Sequence, residues 1–261
     1  VDTVEGITVG DELKAEVDWE RRLQLTQHHT ATHIVNAAAK KILGKHAQQA
    51  GAKKDIDKAH IDLTHYDSVS EEQLKDIEKE ANVIVQRDIA IKLNFMSRDE
   101  AEKKYGMDIY QGGAVPGKEL RIVTIPDLDV ECCGGTHLGS TKEAGEIKLL
   151  KSSKIQDGVV RLTFAAGAAA KQTEDKHDDM LGKVAVLLNC KENQLPARVE
   201  ELFQLWKKVV KKKQQLTAEE KKLTAIAEYQ GDVLAELARI LKTQPEHVQK
   251  TIERFVKEMN G

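Results

Sequence analysis

His29 and His33 sit one helical turn apart, and about a hundred residues later Cys133 and His137 repeat the same interval. A fold that lets these four side chains meet must press one face of a helix against a remote loop. Positions i and i+4 of a helix share a face, so both imidazoles of His29-Thr30-Ala31-Thr32-His33 can reach one ion. The second pair lies in Cys132-Cys133-Gly134-Gly135-Thr136-His137, whose glycines permit a tight loop turning a thiolate and an imidazole toward one point. Three nitrogens and one sulfur suit tetrahedral zinc.

The neighbours narrow the chemistry. A metalloprotease helix would carry glutamate after the first histidine, and here Thr30 holds that place. Zinc-finger spacing is absent, and ligands from two distant segments fit a pocket better than a folding staple. His28, five residues from His33, is expected around the helix as a surface or supporting residue. Cys132 should point opposite to Cys133 as a small buried residue. With only 3 cysteines there is no disulfide framework, which implies a reducing, cytoplasmic setting. A net charge of −3 confines any nucleic-acid contact to local patches. No apolar run approaches the ~20 residues of a membrane span.

Charged residues make up 32% and aromatics 4%, favouring a helix-rich protein, and the periodicities agree. Residues 1–20 alternate apolar and polar positions (Leu13, Ala15, Val17) and read as two short strands. They look like the middle of a small β unit, as if the chain were an excised fragment. A helix is expected from about Glu20 to Leu43, ended by Gly44, then a strand at His60–His65. Ser70-Glu71-Glu72-Gln73 opens a helix to about Arg87, Ile89–Met96 is a strand, and Ser97 caps a further helix. A loop at Gly112–Gly117 precedes strands near Leu120–Ile125, Gly145–Ser152 and Val159–Phe164. The reading is α+β: a two-layer domain of helices on a mixed sheet over 21–170, followed by an all-α domain over 171–261.

In that tail an internal similarity appears at an offset of 53, pairing Asp179-Met180-Leu181 with Asp232-Val233-Leu234 and Val199-Glu200 with Ile252-Glu253. Each copy reads as helix, break, helix. Between them Val199, Leu202, Trp206, Val209, Leu216, Leu223 and Ala227 fall on three- and four-residue steps, the mark of a coiled-coil or hairpin seam. Thr217-Ala218-Glu219-Glu220 is a capping box that breaks it. Lys207–Lys213 carries five lysines and no acid; a solvated helix face and an RNA-backbone contact are both open.

The run Arg21-Arg22-Leu23 … His28-His29-Thr30-Ala31-Thr32-His33-Ile34-Val35-Asn36-Ala37-Ala38 resembles the editing domain of alanyl-tRNA synthetase. So do Glu131-Cys132-Cys133-Gly134-Gly135-Thr136-His137 and Gly158-Val159-Val160-Arg161-Leu162. That fold is shared with free-standing trans-editing proteins and, more distantly, with the second domain of threonyl-tRNA synthetase. The resemblance covers residues 1 to about 170 closely and the helical tail loosely; it implies that residues 1–20 are the end of the small β-barrel subdomain that precedes editing, while motifs of an aminoacylation core are missing. It implies hydrolysis of the ester in tRNA(Ala) mischarged with serine or glycine, with zinc held by His29, His33, Cys133 and His137. It implies a pocket glutamine at Gln49, with Gln48 its rival by one register, and Thr30 as a contact to the seryl hydroxyl. For Arg161 a phosphate contact and a surface ion pair both stand. Zinc either activates water, if one ligand yields its place, or positions the aminoacyl group. A free-standing deacylase and a non-catalytic zinc module that binds tRNA are the alternatives. The helical tail is expected to form a homodimer or to pack on the editing domain.

Overall fold

The helix bearing the two histidines runs over Trp19–Leu43 (α1). In the computed structural model, which describes residues 6, 8–111, 113, 115–217 and 219–260, Asp18 caps α1 by accepting from the Arg21 amide. Gly44, at φ 113°, ends the helix in a conformation that favours glycine. Every residue from 30 to 39 is buried, so α1 is an internal helix whose alanines let neighbours approach from several sides.

The strands expected in residues 1–20 do not form among the residues described there. Residues 8–20 are exposed, with a turn closed by the Thr8 amide on Asp11. Alternation makes a strand only where a neighbour takes up the backbone hydrogen bonds, and these residues have no such neighbour. Residues 1–5 and 7 lie outside the description.

After α1 come β1 (Gln49–Lys54), β2 (Ala59–Thr64), α2 (Glu71–Gln86), β3 (Lys92–Ser97) and α3 (Arg98–Tyr105). Then follow β4 (Glu119–Ile125), β5 (Asp129–Cys132), β6 (Ile147–Gln156) and β7 (Val159–Ala166). Both expected capping boxes are present, Ser70 with Gln73 and Ser97 with Glu100. Of the Gly112–Gly117 loop, Gly112 and Ala114 lie outside the described residues. The strands form two sheets, β1-β2-β7-β6 and β3-β4-β5. Each pairing is antiparallel, where the sequence reading has a mixed sheet. Short connections such as Asp157-Gly158 between β6 and β7 allow only that sense. One core joins Ile34, Val35 and Ala38 of α1 and Ile77 and Ile84 of α2 to Ile61, Leu162 and Phe164 of the first sheet. A second joins Ala101 and Ile109 to Leu120 and Ile122 of β4. The α+β class is as read.

The chain divides into two compact units, Val1–Lys171 and Gln172–Gly261. The second is built on α4 (Ala168–Leu187), α5 (Leu195–Trp206), α6 (Val233–Leu241) and α7 (Val248–Asn260). The helix-break-helix pattern thus occurs twice. Its halves share a core of Val184, Leu195, Val199 and Leu202 with Leu237, Val248, Ile252 and Phe255. The expected seam through Ala227 is not there. Residues 212–232 contain no helix among those described. The Thr217–Glu220 capping bonds form, at 2.8 and 3.3 Å, but only a turn follows. Side chains of α5 satisfy this segment's backbone instead. Arg198 donates to the Leu223 and Ala225 carbonyls, and Glu201 accepts the Thr224 and Ala225 amides at 2.8 Å each. Among the described residues no helix is long and apolar enough to cross a membrane.

Candidate metal centre

One helical face and one loop supply the four donors. His29 and His33 project from α1, and β5 delivers Cys133, whose amide still pairs with the Arg121 carbonyl of β4 at 3.1 Å. Two threonines of α1 tie down the loop that follows. The Thr30 hydroxyl accepts the Leu138 amide at 3.2 Å, and Thr26 donates to the Thr136 hydroxyl at 3.2 Å. Gly135 lies so close to α1 that a Cβ there would stand 2.0 Å from His29 Cε1.

The donor atoms of His29, His33, Cys133 and His137 all fall within 4.8 Å of one another. Cys133 Sγ is 3.3 Å from the Nε2 of both His29 and His137. A tetrahedral ion with bonds of about 2.05 Å to nitrogen and 2.3 Å to sulfur would separate such atoms by about 3.5 Å. The donor set and its spacing therefore fit zinc. His33 turns its Nδ1 away, to Asp129 Oδ2 at 2.9 Å and Glu131 Oε2 at 3.3 Å, which leaves Nε2 for the cluster. That is the carboxylate–histidine support usual behind metal sites.

The electrostatics agree. Burial raises the Cys133 thiol, but hydrogen bonds with His137, His29 and His33 outweigh it and bring its pKa down to about 3, a thiolate at neutral pH. Burial, then the charges of His33 and His29, lowers His137 to about 4, and burial lowers His29 as well. Burial opposes charge on His33, yet Glu131, Asp129 and Cys133 prevail and lift it to about 10. An ion would displace the Nε2 proton and leave Nδ1–H on Asp129. Glu131 is pushed up by burial and by Asp129 beside it. Asn36 donates to Glu131 at 2.9 Å, and Lys40 lies 3.4 Å from Asp129.

Residues 120–163, from within β4 to within β7 and including Cys133 and His137, match the threonyl and alanyl tRNA synthetase second additional domain. The alanine–tRNA ligase of Methanopyrus kandleri is 43% identical over 254 residues, covering 95% of this chain and 28% of that protein. That of Methanococcus maripaludis strain S2 is 44% identical over 221 residues, covering 85% of this chain and 24% of its own length. Over this stretch the chain is homologous to alanine–tRNA ligases. The enzyme of Methanothrix thermoacetophila agrees, at 46% over 203 residues, 78% of this chain and 22% of that protein. The chain spans about a quarter of the length of these curated alanine–tRNA ligases.

Within this homologous segment the other expected residues fall as follows. Gln49 opens β1, half-buried, and its amide donates to Gln111 Oε1 at 3.2 Å. Gln111 also accepts from Asn36 at 3.3 Å, so the link to the cluster runs through Asn36 and Glu131. Gln48 turns its side chain onto the Lys45 carbonyl at 3.0 Å. Arg161 is the ion pair rather than a free phosphate contact: its Nε and Nη2 grip Asp62 at 2.7 and 2.9 Å across the β2–β7 register. His28 is not a surface residue. It is fully buried, meeting the Asp55 carbonyl at 2.7 Å and Gln24 at 3.3 Å. Cys132 packs, partly buried, against the core of β4 and α3. Asp129, Glu131, Asn36 and Lys40 were not singled out from the sequence. Their signal was there: two acids at alternate positions before Cys133, and positions i+3 and i+7 from His33 on the same helix face.

Proposed function

We propose that the Val1–Lys171 unit is the editing hydrolase of an alanine–tRNA ligase, cleaving the ester that joins serine or glycine to the end of mischarged tRNA(Ala). The observation that carries this is the convergence of one thiolate and three imidazoles at a single point within a segment homologous to alanine–tRNA ligases. Zinc is the cofactor this donor set fits; when bound, it supplies Lewis-acid polarisation of the ester carbonyl or acidification of a water. The residues of the chain do the rest. Asp129 and Glu131 hold the proton of His33 at Nδ1 and fix the ring. Thr26 and Thr30 hold the loop bearing His137. Thr30 is fully buried with its hydroxyl engaged by Leu138, so its effect on serine selectivity runs through that loop. Gln49 is the proposed substrate-facing amide. A cytoplasmic setting follows from the substrate.

Ser-tRNA(Ala) deacylation, with zinc measured on the same sample, tests this against Cys133→Ala. Hydrolysis well above the spontaneous rate is expected, and its loss together with zinc in the variant. Zinc-loaded protein that leaves the ester intact would sink the hydrolase reading. That outcome would favour a zinc module without catalysis, a reading supported by four donors that can close a tetrahedral shell. A free-standing deacylase is less favoured because the homology continues through the helical unit.

A further inference from the structure

The helical unit concentrates charge that ester hydrolysis does not use. Lys207, Lys208, Lys211, Lys212 and Lys213 follow Trp206 with no acid among them. The first three lie on a π-helical turn, Lys207–Lys211, that continues α5. It is closed by the Lys212 amide on the Lys207 carbonyl at 3.0 Å and the Gln214 amide on Lys208 at 3.0 Å. At Lys213 the backbone goes left-handed, φ 52°, and ends the helical path. Such turns recur at functional positions in proteins.

Many lysines of this chain are neutralised: Lys41 by Glu80, Lys154 by Asp157, Lys183 by Asp179, Lys222 by Glu219. None of these five makes an ion pair among the described residues. Glu220, the carboxylate that feels Lys208, is committed to the amide and hydroxyl of Thr217. Aromatic rings hold two of the cations without cancelling their charge. Lys207 Nζ lies 3.8 Å from the centroid of Phe203 and Lys211 Nζ 5.4 Å from that of Trp206. Both rings stack on Phe255, at 5.6 and 4.3 Å. Lys208, Lys212 and Lys213 stand exposed.

We propose that this lysine turn is a docking site for the phosphate backbone of structured RNA. The patch is local, since the whole chain carries a net charge of −3, so it marks a place and not a general basic field. Lysines are point charges without a planar fork, which suits tracking phosphates and not reading bases. The occupant rests on the proposed reading of the other unit as acting on tRNA; the site itself uses none of that unit's residues.

Trp206 supplies the readout. The chain has 2 tryptophans, and Trp19→Phe leaves Trp206 alone, inside the patch. Full-length protein is titrated with uncharged tRNA across a salt series. Binding should change Trp206 emission and weaken steeply with salt. The Lys208→Gln, Lys212→Gln, Lys213→Gln triple variant should lower the slope of log K against log salt by about 2–3 and weaken binding roughly ten-fold or more. The same three changed to arginine should retain the slope, which separates lost charge from lost folding. An unchanged slope in the glutamine variant, or polyglutamate binding as tightly as tRNA, overturns the proposal. Because the tRNA is uncharged, failure here leaves the hydrolase reading standing, and failed deacylation with an intact slope leaves this one.

Discussion

Two adjacent glycines in the ligand loop should respond oppositely to alanine. At Gly135 an added Cβ would stand 2.0 Å from His29 Cε1 and 2.3 Å from its Nδ1, whereas at Gly134 it would meet nothing within 4 Å. Ordinary carbon contacts begin near 3.4 Å, so in Gly135→Ala the ring must retreat by about 1.4 Å. The ring is the free end of a side chain and can swing out, so the fold itself should persist. The site should not, because ligand positions are tolerated only to about 0.2 Å. If a four-donor zinc site is worth about 10–16 kcal/mol, losing one donor removes about 2.5–4 kcal/mol, or two to three decades of affinity. Chelator competition reads the affinity, the d–d absorption of the cobalt-substituted protein reads donor number, and thermal unfolding of metal-free protein controls for the fold. Gly135→Ala should match His29→Ala, and Gly134→Ala should match the parent. The reasoning fails if Gly135→Ala binds zinc like the parent with an unchanged cobalt spectrum, or if both glycine variants are equally impaired.

Asp129→Asn keeps the shape beside His33 but removes the charge, and should weaken zinc binding about 10–100-fold by chelator competition; parental affinity would show that the carboxylate does not buttress the ring. Thr30→Val leaves the Leu138 amide buried without its acceptor and should cost about 1–3 kcal/mol in urea unfolding, while Thr30→Ser should cost far less. Burial and then His46, whose Nε2 lies 2.9 Å from its Nδ1, lower the pKa of His65. An unfolded histidine takes its proton near pH 6.5 and the folded one lower, so between these the unfolded state binds more protons; stability should fall as pH drops through that window, and less so in His65→Asn, in urea unfolding at about pH 7.5 and 5.5.

What could be read beforehand divides by the range of the cause. Local devices were legible because a few neighbours decide them: the end of α1 at Gly44, the capping boxes at Ser70 and Ser97, the helical spacing of His29 and His33. What depended on remote partners was not. The alternation of Leu13, Ala15 and Val17 met no strand to pair with. β1, Gln49-Ala50-Gly51-Ala52-Lys53-Lys54, lacks β-branched and aromatic residues and forms because β2 templates it. The stripe beyond Trp206 had the right period, but Arg198 and Glu201 reach across and bind that segment's backbone in irregular form. His28 shows the same limit: its spacing excluded it from the ligand face, but only the sheet residue Phe164, edge-on at 6.3 Å, reveals that its own face is core.

The four donors are held with unequal firmness, and this bears on how they would serve the proposed hydrolysis with zinc bound. His33 is clamped from behind by two buried carboxylates, themselves held by Asn36 and Lys40. Cys133 is fixed by its backbone pairing to β4, whereas the His29 ring, beside Gly135, has no hydrogen bond behind it among the described residues. His137 meets Cys133 and packs its ring against His29 and His33 at 4.3 and 4.8 Å, but its Nδ1 is buried with no hydrogen-bond partner among the described residues. A ligand without a rear anchor gives up its position at the smallest cost in hydrogen bonds. His33 and Cys133 are therefore the firmly held donors, and in the proposed zinc site the position that would open for a substrate or a water is a histidine without a rear partner, His29 or His137.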